Sequence, residues 1–266
     1  MILEVAGVAR HFGGVKAVDG VDLAIEEGEL LGLIGPNGSG KTTLIDLVSG
    51  FQRPDRGTIV FAGRPVAGWQ PHRLAEAGLA RTFQRVRLFG ALSVLDNVLV
   101  GMHARTGGGD LGRLLGLPRA RASARERTGE ARALLERVGL NGVDGRPASS
   151  LAYGQQRRLE IARALALSPR LLLLDEPVAG MNPAEVGKLS RLFSELNADG
   201  LTMILVEHHL RLVVEICTRV VVLNYGRKIA DGRAAAVLED PVVAEAYLGK
   251  AGVPMAHEVP GASEVP

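Results

Sequence analysis

Val21, Leu23 and Ile25 alternate with Asp22, Ala24 and Glu26, the period of two expected of a strand with one buried face. The first 30 residues read as β throughout, and Gly57–Ala62 (GTIVFA) reads as a further short strand between turn signals. Glu29–Ile34 is an apolar strand that runs into a glycine-rich loop. A helix over Lys41–Ser49 follows, ended by Gly50. Three later runs, Leu171–Leu174, Leu201–Val206 and Val220–Leu223, are almost wholly apolar and short. Such runs suit strands buried on both faces of a parallel sheet. Between them, Val186, Leu189, Phe193 and Leu196 form one stripe of a helix over Ala184–Asn197, with Pro183 at its first turn. Strands alternating with helices predict an α/β fold.

The middle of the chain follows another rhythm. Residues from about Ser93 to Ala166 read as helical, interrupted by a loop around Thr106–Gly116. Ala131, Leu134, Leu135 and Val138 mark the apolar face there. The pattern predicts a helical subdomain inserted into the α/β core. The tail Ala251–Pro266 is small, polar and proline-containing, and predicts disorder.

Composition adds limits rather than chemistry. With 266 residues, 47% of them hydrophobic and 23% charged, the chain can bury a sizeable core. Its one cysteine, Cys217, excludes an internal disulfide. No apolar run is long enough to span a bilayer, and charged Glu4 and Arg10 argue against a secretory leader. These features predict a soluble, cytoplasmic protein. The net charge of +2 gives no reason to expect a nucleic-acid partner. Basic residues do concentrate between Arg105 and Arg137, where eight arginines face four carboxylates. A solvated helix face explains that segment; a surface near anionic lipid or a partner is the alternative.

The strongest chemical signal is Gly35-Pro36-Asn37-Gly38-Ser39-Gly40-Lys41-Thr42-Thr43, which fits G-x-x-x-x-G-K-[ST] between a strand and a helix. Glycines let consecutive N–H groups turn toward an anion, and the following helix adds its positive end. Lys41 is placed to reach the β- and γ-phosphates of a nucleoside triphosphate, and the Thr42 hydroxyl to ligate Mg²⁺. The apolar run Leu171–Leu174 ends in Asp175-Glu176-Pro177. Two carboxylates at the C-terminal edge of a buried strand stand where α/β sheets build ligand sites. Asp175 is the candidate to hold Mg²⁺ and Glu176 to polarise an attacking water.

Between these two sites lies Leu151-Ala152-Tyr153-Gly154-Gln155-Gln156-Arg157, which resembles LSGGQ, the signature motif of the ATP-binding cassette (ABC) family. Thr82-Phe83-Gln84 is similar to the family's Q-loop. Val206-Glu207-His208 is similar to its switch-histidine segment, and Ala179-Gly180-Met181-Asn182 to its D-loop. Phe12 stands where the family places an adenine-stacking aromatic. These motifs keep the family's order across residues about 4 to 235.

The resemblance implies a P-loop NTPase fold: a RecA-like parallel sheet core with an N-terminal antiparallel β subdomain and an inserted α-helical subdomain. It implies one nucleotide-binding domain over residues 1–250, with the helical part at about 88–166. It further implies that ATP lies between the phosphate loop of one cassette and the signature motif of a second. Ala152, Tyr153, Gly154 and Gln155 would then face the partner's nucleotide. Gln84 would sense the γ-phosphate and Mg²⁺ beside a segment (Arg85, Arg87, Phe89) that docks a permease helix, and His208 would bond the γ-phosphate. Two departures stand out: Ala152 replaces the usual serine and Asn182 the usual D-loop aspartate.

Ala80–Phe89, Leu92–Gly101, the LAYGQQRRLEIARAL signature, AGMNP and Ala244–Gly249 together resemble the larger ATPase subunit of branched-chain amino acid importers. That resemblance implies partner permeases, a second and often paralogous ATPase subunit, and indirect service to a periplasmic binding protein. It implies a peripheral place on the cytoplasmic face of the bacterial inner membrane. The competing readings are an importer for another amino acid or amide, an exporter ATPase of the lipopolysaccharide type, and a soluble ABC ATPase without transport.

Overall fold

The computed structural model describes residues 1–106 and 118–248. The expected disordered tail from Ala251 to Pro266, and the expected loop beyond Thr106, lie outside the described residues. In chain order the elements are β1 (Leu3–Phe12), β2 (Val15–Ile25), β3 (Leu30–Ile34), α1 (Lys41–Val48), β4 (Arg56–Phe61), β5 (Arg64–Pro65), α2 (Pro71–Glu76), β6 (Leu79–Arg81) and α3 (Val94–Thr106). After residue 117 come α4 (Pro118–Arg137), α5 (Tyr153–Leu165), β7 (Leu171–Asp175), α6 (Pro183–Ala198), β8 (Thr202–Val206), α7 (Leu210–Ile216), β9 (Arg219–Asn224), β10 (Arg227–Arg233), α8 (Ala234–Leu238) and α9 (Pro241–Leu248).

Two sheets divide the work. One is four-stranded and antiparallel, in the order β2-β1-β4-β5. The other runs β10-β9-β3-β8-β7-β6, parallel except for the β9–β10 hairpin. Its central strands are buried at every residue, and their alternate side chains enter different cores. Leu172 and Leu174 of β7 join the core shared with the helical subdomain, whereas Leu171 and Leu173 join the core under the antiparallel sheet. Both faces being covered, no polar position interrupts the run.

The segment read as helical from Ser93 onward contains α3, α4 and α5, packed on one another. It is not helical throughout. Residues 138–152 turn back through Gly139 and Gly142, both at positive φ (69° and 74°), and a single 3₁₀ turn at Ala148–Ser150 follows Pro147. These residues break a helix for the reasons glycine and proline usually do. The helix that opens at the signature motif spans Tyr153–Leu165.

Candidate nucleotide site

β3, β8, β7 and β6 lie side by side and parallel, so their C-terminal ends open onto one edge of the sheet. Each sequence-predicted group beyond Phe12 and the signature motif leaves from that edge. β3 gives the phosphate loop, β6 leads to Gln84, β7 to Asp175 and Glu176, and β8 to His208.

The loop needs its glycines. Gly35 has φ 146° and a Cβ there would sit 2.1 Å from the Leu223 carbonyl oxygen. Gly40 has φ 104° and a Cβ would sit 2.2 Å from the Ala17 carbonyl oxygen. Lys41 opens α1 and is almost fully buried. Its Nζ donates to the carbonyls of Gly35 (2.7 Å) and Pro36 (3.0 Å). Burial lowers its pKa, with Glu176 and Asp175 opposing the shift. A buried ammonium held by two loop carbonyls and, at 3.5 Å, the Ser39 hydroxyl is electrostatically suited to an incoming polyphosphate.

Phe12, Asn37, Gly38, Ser39, Gly40, Lys41, Thr42, Thr43, Gln84 and Glu176 line a single cavity of about 680 Å³. Gln84 Nε2 donates to Glu176 Oε2 at 2.9 Å, and His208 Nδ1 stands 3.9 Å from Glu176 Oε1. Three predicted residues from three strand ends therefore meet at one carboxylate. Glu176 itself sits at φ 46°, pinned by its N–H donating to the Val206 carbonyl at 2.9 Å. Asp175 is buried, and Arg81 holds its Oδ2 at 2.8 Å while also bonding Asp46 Oδ1 at 2.6 Å. Burial pushes the Asp175 carboxyl up, and the Arg81 guanidinium pulls against it.

Several residues of the site escaped the sequence reading. Arg81 lies inside the ARTFQ run but carries no motif of its own. Glu207, wholly buried, accepts the Val178 N–H at 3.2 Å and so ties the strand end before His208 to the segment after Glu176. Tyr225, in the β9–β10 turn, is 84% exposed, has φ 46° and lines the same cavity as Phe12. Gly226 beside it donates to the Ser39 carbonyl at 2.9 Å, fixing the turn on the phosphate loop.

Ala152, Tyr153, Gly154 and Gln155 are not brought to this cavity; they form the start of α5. Gln155 Oε1 reaches back to the Ala152 N–H at 3.2 Å, but alanine has no oxygen to return the bond, so half of a capping box is missing. Asn182 makes the complete box: its Oδ1 accepts the Glu185 N–H at 3.0 Å and Glu185 Oε2 accepts the Asn182 N–H at 3.2 Å. The aspartate-to-asparagine departure thus keeps a helix cap.

Known proteins bear on this geometry directly. The family described as ABC transporter matches residues 18–179. The chain belongs to the ABC transporter family. A second description, branched-chain amino acid ATP-binding cassette transporter, matches residues 227–253 of the cassette. Among its relatives, the high-affinity branched-chain amino acid transport ATP-binding protein BraF of Pseudomonas aeruginosa is 43% identical, covering 94% of this chain and 98% of BraF. LivG of Escherichia coli, described in the same words, is 42% identical over the same shares. A nucleotide-free ATP-binding cassette from an ABC transporter superposes with a TM-score of 0.80 at 33% identity, covering 94% of this chain and 99% of that one. A dimeric bacterial ABC transporter cassette superposes with a TM-score of 0.75 at 25% identity, covering 88% and 99%.

Proposed function

We propose that this cassette binds and hydrolyses ATP as one half of a cassette pair, driving uptake of branched-chain amino acids through partner permeases. The observation that carries the catalytic part is Glu176 placed between Gln84 and His208 in the cavity of the phosphate loop. Support for the solute comes from BraF and LivG, whose names specify branched-chain amino acid transport.

The phosphates would lie along the loop amides and the start of α1, with Lys41 turning from the Gly35 and Pro36 carbonyls to the β- and γ-oxygens. Phe12 and Tyr225 would border the base. Glu176 would accept a proton from the water that attacks the γ-phosphorus as the bond to the β-phosphate oxygen breaks. Gln84 and His208 orient that carboxylate and would contact the γ-phosphate. Thr42, Asp175 and Gln84 offer the hard oxygen donors that suit Mg²⁺. When bound, the ion supplies charge neutralisation on the phosphate oxygens. The signature residues Ala152–Gln155 lie away from their own chain's cavity, as a head-to-tail pairing requires, and a second cassette would present its phosphate loop to them.

Among the described residues no helix is long and apolar enough to cross a membrane, so a place on the cytoplasmic face of the bacterial membrane would come from the permeases. A groove of about 620 Å³ beside the Q-loop, with Phe83, Leu88 and Phe89 on its wall, is the surface proposed for the permease helix. Phe89 is half exposed there.

Glu176→Gln tests the site. It keeps the shape and removes the base. Phosphate release should fall by at least roughly 100-fold, MgATP binding should persist, and light scattering should show the chain shifting to a dimer with MgATP. Wild-type turnover in this variant overturns the assignment. Stimulation of ATPase activity by leucine, isoleucine or valine in vesicles holding the permeases and binding protein tests the solute.

A further inference from the structure

Arg157, on the first turns of α5, is 1% exposed, and Glu160, one turn on, is 2% exposed. A charged pair so deep is expensive unless it is well bonded, and of the Arg157 guanidinium nitrogens only Nε lacks a partner. Arg157 donates to the carbonyls of both Phe83 and Gln84, and to Glu160 Oε2 at 3.1 Å. Glu160 Oε1 accepts the Arg87 N–H at 3.2 Å. One turn of the signature helix therefore grips the main chain of residues 83–87 at both ends. A helix-stabilising i,i+3 pair would need neither carbonyl, and the planar fork of the arginine meets the two from two separate nitrogens in fixed geometry. The side chain of the gripped residue Gln84 extends the other way, to Glu176 at 2.9 Å.

We infer that Arg157 is a positioning residue whose latch, closed by Glu160, makes the signature helix and the Q-loop move as one body and so sets where Gln84 meets Glu176. A partner pressing on residues 85–89 would then shift the signature helix by the same stroke. The inference rests on the reading of Gln84 and Glu176 as γ-phosphate residues.

Arg157→Lys keeps the charge but replaces the two separately placed nitrogens of a rigid fork with a single ammonium. Single-turnover hydrolysis, with protein in excess so that slow variants are still measured, should show a rate lowered roughly 10-fold to 100-fold. The KM for ATP should stay within about twofold and the unfolding midpoint close to wild type. In a Gln84→Ala chain the same change should cost nothing further, because the residue it acts through is gone. Glu160→Gln, a milder change that keeps an acceptor for the Arg87 N–H, should show the same pattern at smaller size and stands in if Arg157→Lys does not fold. Losses that add in the Gln84→Ala background, or a lowered unfolding midpoint with hydrolysis intact, overturn the latch. A failed Glu176→Gln test overturns the site reading by a separate measurement.

Discussion

At Glu176 the chain adopts a left-handed φ of 46°, which costs a non-glycine residue on the order of 1–3 kcal/mol. The neighbouring strand imposes it, since the Glu176 N–H is taken by the Val206 carbonyl. Tyr225 shares that φ while standing 84% in solvent, an arrangement that stability alone does not favour. The base-bordering role proposed for it would account for this placement. Tyr225→Ala should weaken MgATP by roughly threefold to tenfold, the value of one aromatic contact, and leave inorganic tripolyphosphate unaffected, both read by titration calorimetry. Equal losses for the two ligands would instead mean that the β9–β10 turn acts through the phosphate loop. Sequence alone singled out Lys41, Glu176 and His208 because fixed spacings on strand ends carry them. It could not reveal Tyr225, Arg81 or Arg157, whose partners lie far away along the chain and come close only through sheet pairing.

Single elements were legible where local chemistry agrees with packing. The helix read over Ala184–Asn197 spans Pro183–Ala198, because Asn182, Pro183 and Glu185 cap it in sequence as they do in space. β6 is three residues long and shows no period of its own, so its place at the sheet edge comes from pairing with β7. How the two sheets are tied together was equally hidden. Asp19 of β2 bonds Arg227 of β10 at 2.8 Å and Arg56 of β4 at 3.1 Å, its side chain only 6% exposed. The Arg227 guanidinium, more than any other group, draws its pKa from 3.8 down to about 2. A depressed carboxylate stabilises the fold above its unfolded pKa and loses that effect as pH falls through its folded pKa. Asp19→Asn should therefore unfold at lower denaturant than wild type at pH 7. The gap should narrow between pH 3.8 and about 2, as a denaturant series across pH would show.

Across the whole molecule, order along the chain and order in space disagree. β3, which delivers the phosphate loop, is made early, yet its neighbours are β8 and β9. The Leu223 carbonyl that packs against Gly35, and the Gly226 N–H that fixes Ser39, arrive later still. Contacts so distant in sequence slow folding and cannot form until both segments have been made. A chain truncated after Gly200 should show no binding of a fluorescent ATP analogue and little resistance to protease, whereas residues 1–248 should show both. Retained affinity in the shorter chain would contradict the dependence. On that expectation, a ribosome still building this protein displays no working fuel port, and an unfinished copy does not sequester the cell's energy currency.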